Sequence, residues 1–164
     1  MSVPFIKMHG LGNDFVIFDF RKGGQAFDKQ KNILICDRRR GAGCDQLIYM
    51  LPGQSGADVT LTMFNPDGSA LEACGNGTRC VASLLMKESG RENCVIGTVA
   101  GLLSCRTMGG MIQIDMGKPR LHWKEIPLSE ERDTKHLGIV HGRADMMDPV
   151  AVNIGNPHAV FFVD

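Results

Sequence analysis

Apolar residues occur along this chain in short runs, and glycine- and asparagine-rich turns separate the runs. Runs of this length, with partial alternation of apolar and polar positions, are typical of β-strands. A Met-Gly-Gly turn at residues 108–110 joins two such runs and indicates a β-hairpin. The segments predicted as strands are 3–9, 15–18, 47–51, 59–64, 102–107, 111–116 and 159–163.

Two segments have a helical pattern instead. The stronger is residues 77–87, which carries apolar residues on one side and is followed by Gly90, a residue type that commonly ends a helix. The weaker is residues 28–37, with Asp28 as a candidate N-cap and a partial apolar face. The chain therefore combines many predicted strands with few helices.

Composition narrows the class of protein. The 164 residues carry 18 lysines and arginines against 18 aspartates and glutamates, which argues against a dedicated binder of nucleic acid or of an anionic membrane. Apolar residues make up 43% and charged residues 22%, so the chain is expected to fold. We find no apolar run long enough to span a membrane and no signal-peptide pattern at the start, and therefore expect a cytoplasmic protein.

The character of the sequence changes after its strand-rich first part, residues 1–118. Residues 121–148 are polar and show no clear period. Residues 11–13 (Leu-Gly-Asn) and 154–156 (Ile-Gly-Asn) are each followed by an apolar run and an aspartate, which is weak evidence for an internal repeat. We therefore predict one domain at 1–118 and the beginning of a second domain at 119–164.

Cys74 stands apart among the cysteines. Free thiols are expected in a chain that is neither very short nor apparently secreted, and the absence of a Cys-x-x-C pair predicts no metal site. Cys74 directly precedes the stronger predicted helix, where unpaired N–H groups stabilise a thiolate, and Gly75 would let a ligand approach the backbone. From this context alone, packing explains Cys74 as well as catalysis does. The cysteines predicted to lie in the core are Cys36, Cys80, Cys94 and Cys105, with Cys44 left open.

Six motifs together resemble those of the diaminopimelate epimerase family. They occur in the family's order along the whole chain, and the combination is far more specific than any one motif. The motifs are KMHGLGNDFV (7–16), GCDQL (43–47), FNPDGS (64–69), ACGNGTRCVA (73–82), MGKP (116–119) and GNPH (155–158).

The resemblance implies an epimerase that needs no cofactor. The family interconverts LL- and meso-diaminopimelate on the bacterial route to lysine and peptidoglycan. Two cysteines face opposite sides of the substrate Cα; one, as thiolate, removes the proton, and the other, as thiol, returns a proton to the opposite face. Cys74 matches the first cysteine, and His158 matches a position near that thiol, so these two are the predicted catalytic residues.

The same resemblance implies a set of substrate-binding residues. From residue type alone, several of them have a plain structural explanation, because asparagine is common in turns. The implied partner is the small molecule diaminopimelate, and a homodimer is left open. The residues implied to bind the substrate are Asn13, Gln46, Asn65 and Asn156 through side chains, and Gly75 and Asn76 through backbone N–H groups.

The predicted fold class is α+β. The first domain should be a curved, mostly antiparallel sheet or barrel around the helix that follows Cys74, and the resemblance implies two such pseudo-symmetric domains with the site in the cleft between them. The family's second cysteine lies in another Cys-Gly motif, whereas Cys-Gly occurs once here, at Cys74-Gly75. We therefore expect an N-terminal piece of a longer enzyme that does not epimerise by itself.

Three other interpretations stay open. The chain could be an isomerase of the same fold that acts on another amino acid or small acid. It could also be a thiol-dependent hydrolase or transferase, in which His158 would serve as a base beside Cys74. The third is a non-catalytic amino-acid-binding or assembly domain, in which Cys74 would be inert.

Overall fold

The chain divides into two units, Met1–Asp115 and Met116–Asp164. This division comes from a computed structural model, which describes residues 3–139, 142 and 147–163. The boundary lies close to the end of the strand-rich part of the sequence. The assignment of residues 1–118 to a first domain, and of residues 119–164 to the beginning of a second, stays a prediction.

One mixed sheet forms the frame of the first unit. Its described strands are β1 (Ile6–Gly10), β2 (Asn13–Asp19), β3 (Gln46–Pro52), β4 (Val59–Phe64), β5 (Ala70–Leu71), β6 (Asn93–Thr98), β7 (Gly101–Met108) and β8 (Met111–Asp115). They lie in the order β1-β2-β3-β4-β6-β7-β8, with β5 paired to β4. The pairs β2–β3 and β4–β6 are parallel and the other pairs are antiparallel. The prediction of an α+β fold with a mostly antiparallel sheet is confirmed.

The two helices of the first unit begin and end at residues whose chemistry explains their bounds. Helix α1 (Lys29–Cys36) begins after Asp28, whose carboxylate accepts a hydrogen bond from the Lys31 backbone N–H at 2.9 Å. Helix α2 (Gly75–Ser89) ends at Gly90, which has a left-handed φ of 70°. It begins two residues earlier than the predicted 77–87 because the side chain of Cys74 caps it.

Helix α2 covers one face of the sheet and helix α1 lies at the other. Because side chains alternate along a strand, Phe15 and Ile17 of β2 face α2, whereas Val16 and Phe18 belong to a second apolar cluster that includes Cys36 of α1. Central strands are thus buried on both sides. Each large apolar side chain buried in this way contributes about 1.5–3 kcal/mol to folding.

The second unit contains a hairpin and a small apolar cluster. Strands β9 (Val150–Asn153) and β10 (Pro157–Val160) pair in antiparallel fashion, so the predicted strand at 159–163 begins two residues earlier and ends three residues earlier. A short 3-10 helix spans Trp123–Glu125. Ile126, Leu137 and Ala151 form the cluster. None of the described helices is long and apolar enough to cross a membrane.

Candidate functional site

The thiol of Cys74 occupies the N-terminal end of α2. Its backbone is extended, with φ −141° and ψ 109°, and its Sγ lies 3.5 Å from the backbone nitrogen of Gly77, which donates a hydrogen bond to it. A sulfur atom in this position interacts with the positive end of the helix dipole. Cys74 is partly exposed, whereas the other five cysteines are buried.

Two amide side chains reach this thiol from the edge of the sheet. Asn13 opens β2 and Gln46 opens β3, and because these strands are parallel both residues lie at the same edge. The Sγ of Cys74 lies 3.8 Å from Oδ1 of Asn13 and 3.6 Å from Oε1 of Gln46. The structure therefore brings together three residues that the sequence analysis singled out.

Asn76 joins the same group from the first turn of α2. Its Nδ2 donates to Oδ1 of Asn13 at 3.4 Å, and its own Oδ1 accepts a hydrogen bond from the guanidinium of Arg79. The side chain of Asn76 thus takes part in the site, in addition to the backbone N–H that the sequence analysis assigned to it. Arg79 was not predicted, although it lies in the ACGNGTRCVA motif.

The two glycines beside Cys74 have different surroundings. A Cβ atom added at Gly77 would lie 2.8 Å from Cδ1 of Ile48 and 3.3 Å from Cε1 of Phe15, so this glycine is needed for α2 to pack closely on the sheet. A Cβ added at Gly75 would meet only the Arg79 guanidinium, at 3.8 Å. Packing within the described part of the first unit therefore leaves the backbone at Gly75 open to a small molecule.

A network of charged side chains supports the edge of the sheet behind these amides. The carboxylate of Asp45 accepts hydrogen bonds from Nδ2 of Asn13 at 3.2 Å and from the Asp14 backbone N–H at 3.0 Å. Arg38 bridges Asp14 and Asp45 at 2.7 Å to each, and Lys7 lies 2.9 Å from Asp14. Hydrogen bonds from Arg38, and then from Lys7 and the Asp45 backbone, hold the pKa of Asp14 well below its usual range. This network was not predicted from the sequence, although a charged residue directly follows Asn13 and another directly precedes Gln46.

Asn65 uses its polar groups within a turn. Its Nδ2 donates to the hydroxyl of Ser69 at 3.0 Å, and its backbone N–H donates to the Ser69 carbonyl at 2.9 Å. Its own carbonyl accepts from Gly68, which has a positive φ of 74°. A substrate contact by Asn65 stays a prediction.

Asn156 and His158 belong to the second unit. Asn156 lies in the turn between β9 and β10, and its Oδ1 lies 3.0 Å from Nε2 of His158. His158 is exposed and pairs with Val152 across the hairpin. The Gly-Asn segments at 12–13 and 155–156 both lie at the turn of an antiparallel hairpin. The roles of Asn156 and His158 in chemistry at Cys74 stay predictions.

The remaining cysteines are structural by their surroundings. Burial, and to a smaller extent the neighbouring Cys74, raises the pKa of the Cys80 thiol, so Cys80 keeps its proton. Cys44, whose burial the sequence left open, is buried, and its Sγ lies 3.5 Å from that of Cys36. Within the described ranges, no three His, Cys, Asp or Glu residues are grouped so that they could hold a metal ion.

Solved structures with a similar fold cover nearly the whole chain at low sequence identity. One is a phenazine biosynthesis protein of the PhzF family from Bacillus anthracis, with a TM-score of 0.62 at 17% identity over 100% of this chain and 57% of that one. Another is a predicted epimerase from Pseudomonas aeruginosa, with a TM-score of 0.63 at 17% identity over 99% of this chain and 60% of that one. At this identity the similarity establishes the fold.

Curated relatives are much more similar in sequence. The chain is 48% identical to a diaminopimelate epimerase of Phenylobacterium zucineum over 99% of this chain and 60% of that protein. It is 46% identical to one of Rhodospirillum centenum over 98% of this chain and 55% of that protein. The chain therefore spans somewhat more than half the length of these relatives.

The family assignment rests on the part of the chain that contains the thiol site. Residues 5–122 match the sequence model of the family described as diaminopimelate epimerase, and this range includes Cys74, its glycines and the amides of Asn13, Gln46 and Asn76. The resemblance stated from the motifs is thereby confirmed, and the chain belongs to the diaminopimelate epimerase family.

Proposed function

We propose that this chain supplies one half of an epimerase that interconverts LL- and meso-diaminopimelate without a cofactor. The observation that carries the proposal is the thiol of Cys74, which is partly exposed at a helix N-terminus and surrounded by amide groups. The family assignment and the relatives named diaminopimelate epimerase support this substrate. The reaction would provide meso-diaminopimelate for lysine and peptidoglycan synthesis.

In the proposed reaction, Cys74 transfers a proton at the substrate Cα. The thiolate removes the Cα proton and becomes a thiol, and the electron pair left on Cα is delocalised into the adjacent carboxylate. The unpaired N–H groups in the first turn of α2, including that of Gly75, are suited to bind that carboxylate and to stabilise the developing charge. A preorganised site of this kind acts without reorganising at the moment of proton transfer.

The amides beside Cys74 are suited to orient the substrate. Asn13 and Gln46 present carbonyl oxygens near Sγ, where they can accept hydrogen bonds from an ammonium group. Open space at Gly75 supports close approach of a ligand to the backbone. We propose that Asn65 and Asn156 contact the same substrate and that His158 influences the ionisation of the thiol, as the family motifs imply.

A second thiol completes the proposed mechanism. It gives a proton to the face of Cα opposite Cys74 and becomes a thiolate, so that one proton is removed and one is added in each turnover. Cys36, Cys44, Cys80, Cys94 and Cys105 are buried in the first unit, which makes them unsuited to this part. The partner thiol would therefore lie outside these 164 residues.

The surroundings of Cys74 favour proton transfer over a thiol hydrolase. A hydrolase of this type pairs its cysteine with a basic side chain. In the described part of the first unit, the hydrogen-bond partners of Sγ are two amide oxygens and one backbone N–H. Amides do not take up a proton from the thiol at ordinary pH, so a hydrolase would need a base from outside this group of contacts, such as His158.

Protection of Cys74 from alkylation by diaminopimelate tests the proposal. We expect iodoacetamide to modify Cys74 and saturating diaminopimelate to slow this reaction, with peptide mapping by mass spectrometry as the readout. Asn13→Ala should weaken protection, whereas Gln113→Ala, on the exposed side of β8, should leave it unchanged. An alkylation rate that is the same with and without diaminopimelate would contradict the proposed substrate.

A further inference from the structure

A continuous chain of hydrogen bonds passes beside the Cys74 thiol. The guanidinium of Arg79 donates to Oδ1 of Asn76, and Nδ2 of Asn76 donates to Oδ1 of Asn13 at 3.4 Å. Nδ2 of Asn13 then donates to Oδ2 of Asp45 at 3.2 Å. The other oxygen of Asp45 accepts from Arg38 at 2.7 Å. Two neutral amides therefore lie between a cation at one end and a carboxylate at the other.

The charged ends of this chain determine which way each amide is turned. An ionised carboxylate only accepts hydrogen bonds, so Asp45 requires the NH2 group of Asn13 to face it. A guanidinium only donates, so Arg79 requires the carbonyl oxygen of Asn76 to face it. With both amides turned in this way, the NH2 group of Asn76 faces the carbonyl oxygen of Asn13, which is the hydrogen bond observed between them. The carbonyl oxygen of Asn13 is consequently the end that lies 3.8 Å from Sγ of Cys74.

We propose that Asp45 is a positioning residue, which acts through Asn13 by keeping the carbonyl oxygen of that amide turned towards the Cys74 thiol. The inference rests on the proposed function, because it takes Cys74 as the reacting group. Several further contacts hold Asp45 in place. Its Oδ2 also accepts from the Asp14 backbone N–H at 3.0 Å, and Arg38 bridges the carboxylates of Asp14 and Asp45. Its backbone N–H donates to Oδ1 of Asp14 at 2.9 Å, so both the main chain and the side chain are fixed.

The orientation of Asn13 has a direct effect on the thiol. A carbonyl oxygen accepts a hydrogen bond from S–H and repels a thiolate, whereas an NH2 group in the same place would donate to a thiolate and stabilise it. Gln46 presents a second carbonyl oxygen at 3.6 Å. With Asp45 in place, both amides thus present acceptors to Sγ, and the donor that faces Sγ is the Gly77 backbone N–H. Without Asp45, the amide of Asn13 can turn, and the thiolate becomes more favourable.

The test is the pH dependence of Cys74 alkylation in the 164-residue chain, measured for Asp45→Asn. Asparagine has nearly the same shape as aspartate but brings a donor that conflicts with Arg38 or with Asn13. We expect the midpoint of the alkylation profile to move to lower pH by about half a unit, or about threefold in the thiol–thiolate equilibrium. Glu88→Gln is the control for a lost negative charge, because Glu88 is exposed and pairs with Arg21 at the far end of α2; its profile should match that of the parent.

Repeating the measurement in an Asn13→Ala chain separates the positioning role of Asp45 from the simple effect of its charge on the thiol. If Asp45 acts through Asn13, then Asp45→Asn should cause no further shift in a chain that already carries Asn13→Ala. An equal shift with and without Asn13, or no shift in either background, would overturn the inference. If Asp45→Asn does not fold, the orientation of Asn13 can be measured in the parent chain by NMR. Nuclear Overhauser contacts from the Asn13 side-chain NH2 protons to the Cys74 Hβ protons would show the opposite orientation and overturn the inference.

This measurement uses no diaminopimelate, so the inference and the proposed substrate can fail separately. A reactive Cys74 that shows the expected shift but no protection by diaminopimelate supports the positioning role and contradicts the substrate. If diaminopimelate protects Cys74 but Asp45→Asn leaves the pH profile of alkylation unchanged, only the positioning role is contradicted. A Cys74 that does not react in the parent chain contradicts both.

Discussion

The side-chain oxygen of Asn13 lies 3.8 Å from the sulfur of Cys74, although 61 positions separate the two residues in the sequence. Asn13 comes from the edge of the sheet and Cys74 from the N-terminus of α2, so the contact depends on how the helix packs on the sheet. Burial of α2 against the sheet therefore determines the geometry at the thiol as well as the stability of the unit.

Alkylation of the folded chain should be selective for Cys74. Cys74 is partly exposed, whereas the other cysteines are buried, and burial raises the pKa of Cys80. With iodoacetamide near neutral pH we expect about one adduct per folded chain, mapped to Cys74 by mass spectrometry, and adducts on all cysteines after unfolding. Cys80→Ala should leave the number of adducts on the folded chain unchanged, and Cys74→Ala should eliminate the adduct. Comparable labelling of Cys80 in the native chain would contradict the structure.

The two glycines beside Cys74 should respond differently to the same substitution. In Gly77→Ala, the added Cβ would lie 2.8 Å from Cδ1 of the fully buried Ile48, and overpacking of this kind costs about 1–3 kcal/mol. A gain of about 1 kcal/mol in helix propensity offsets part of that cost. We expect a lower free energy of unfolding for Gly77→Ala in urea titrations. Equal or greater stability for this variant would show that α2 is not closely packed at this point.

Gly75→Ala is the matched variant at a position with open space around it. Its Cβ would meet only the Arg79 guanidinium at 3.8 Å, so we expect no loss in the free energy of unfolding, and a gain of at most about 1 kcal/mol from helix propensity. If a substrate carboxylate approaches the backbone here, the added methyl group should still weaken protection of Cys74 by diaminopimelate. Unchanged protection in a stable Gly75→Ala chain would indicate that the ligand lies elsewhere.

The sequence predicted the local elements of this site better than it predicted their contacts. The pattern of short apolar runs located most strands, and Asp28 and Gly90 correctly marked one end of each helix. The sequence also indicated that Cys74 precedes a helix. It did not indicate that Cys74 caps this helix, because cysteine is not a usual N-cap residue and its role depends on backbone geometry.

The periodicity of apolar residues does not predict contacts between segments that are distant in the sequence. The network of Lys7, Asp14, Arg38 and Asp45 joins β1, β2 and the loop before β3, and it forms only because β2 and β3 are parallel neighbours. Family motifs named Asn13 and Gln46, but they did not identify the charged residues that hold Asn13. Those residues are explained by the physical requirement that a partly buried amide has both its ends satisfied.

Stability should fall in acid partly through Asp14. Hydrogen bonds from Arg38 and Lys7 lower the pKa of Asp14 in the folded chain, so the unfolded chain binds more protons as the pH falls below the usual value of 3.8. The contribution of Asp14 is therefore complete at neutral pH and is lost in acid. We expect Asp14→Asn to be less stable than the parent at pH 7 and the difference to shrink between about pH 5 and pH 2 in urea titrations. A difference that is constant across this range would contradict the assigned pKa shift.

The 164 residues alone should not sustain epimerisation. In the proposed mechanism Cys74 acts on one face of the substrate Cα, and a proton returned by the same thiol would restore the original configuration. In D2O we therefore expect any deuterium that enters at Cα to do so with retention of configuration, and we expect no conversion of LL- to meso-diaminopimelate on chiral chromatography. Cys74→Ala should remove the exchange, and Cys80→Ala should preserve it because Cys80 is buried in the core. Sustained conversion by this chain would mean that one thiol serves both faces, and the proposed two-thiol mechanism would have to be abandoned.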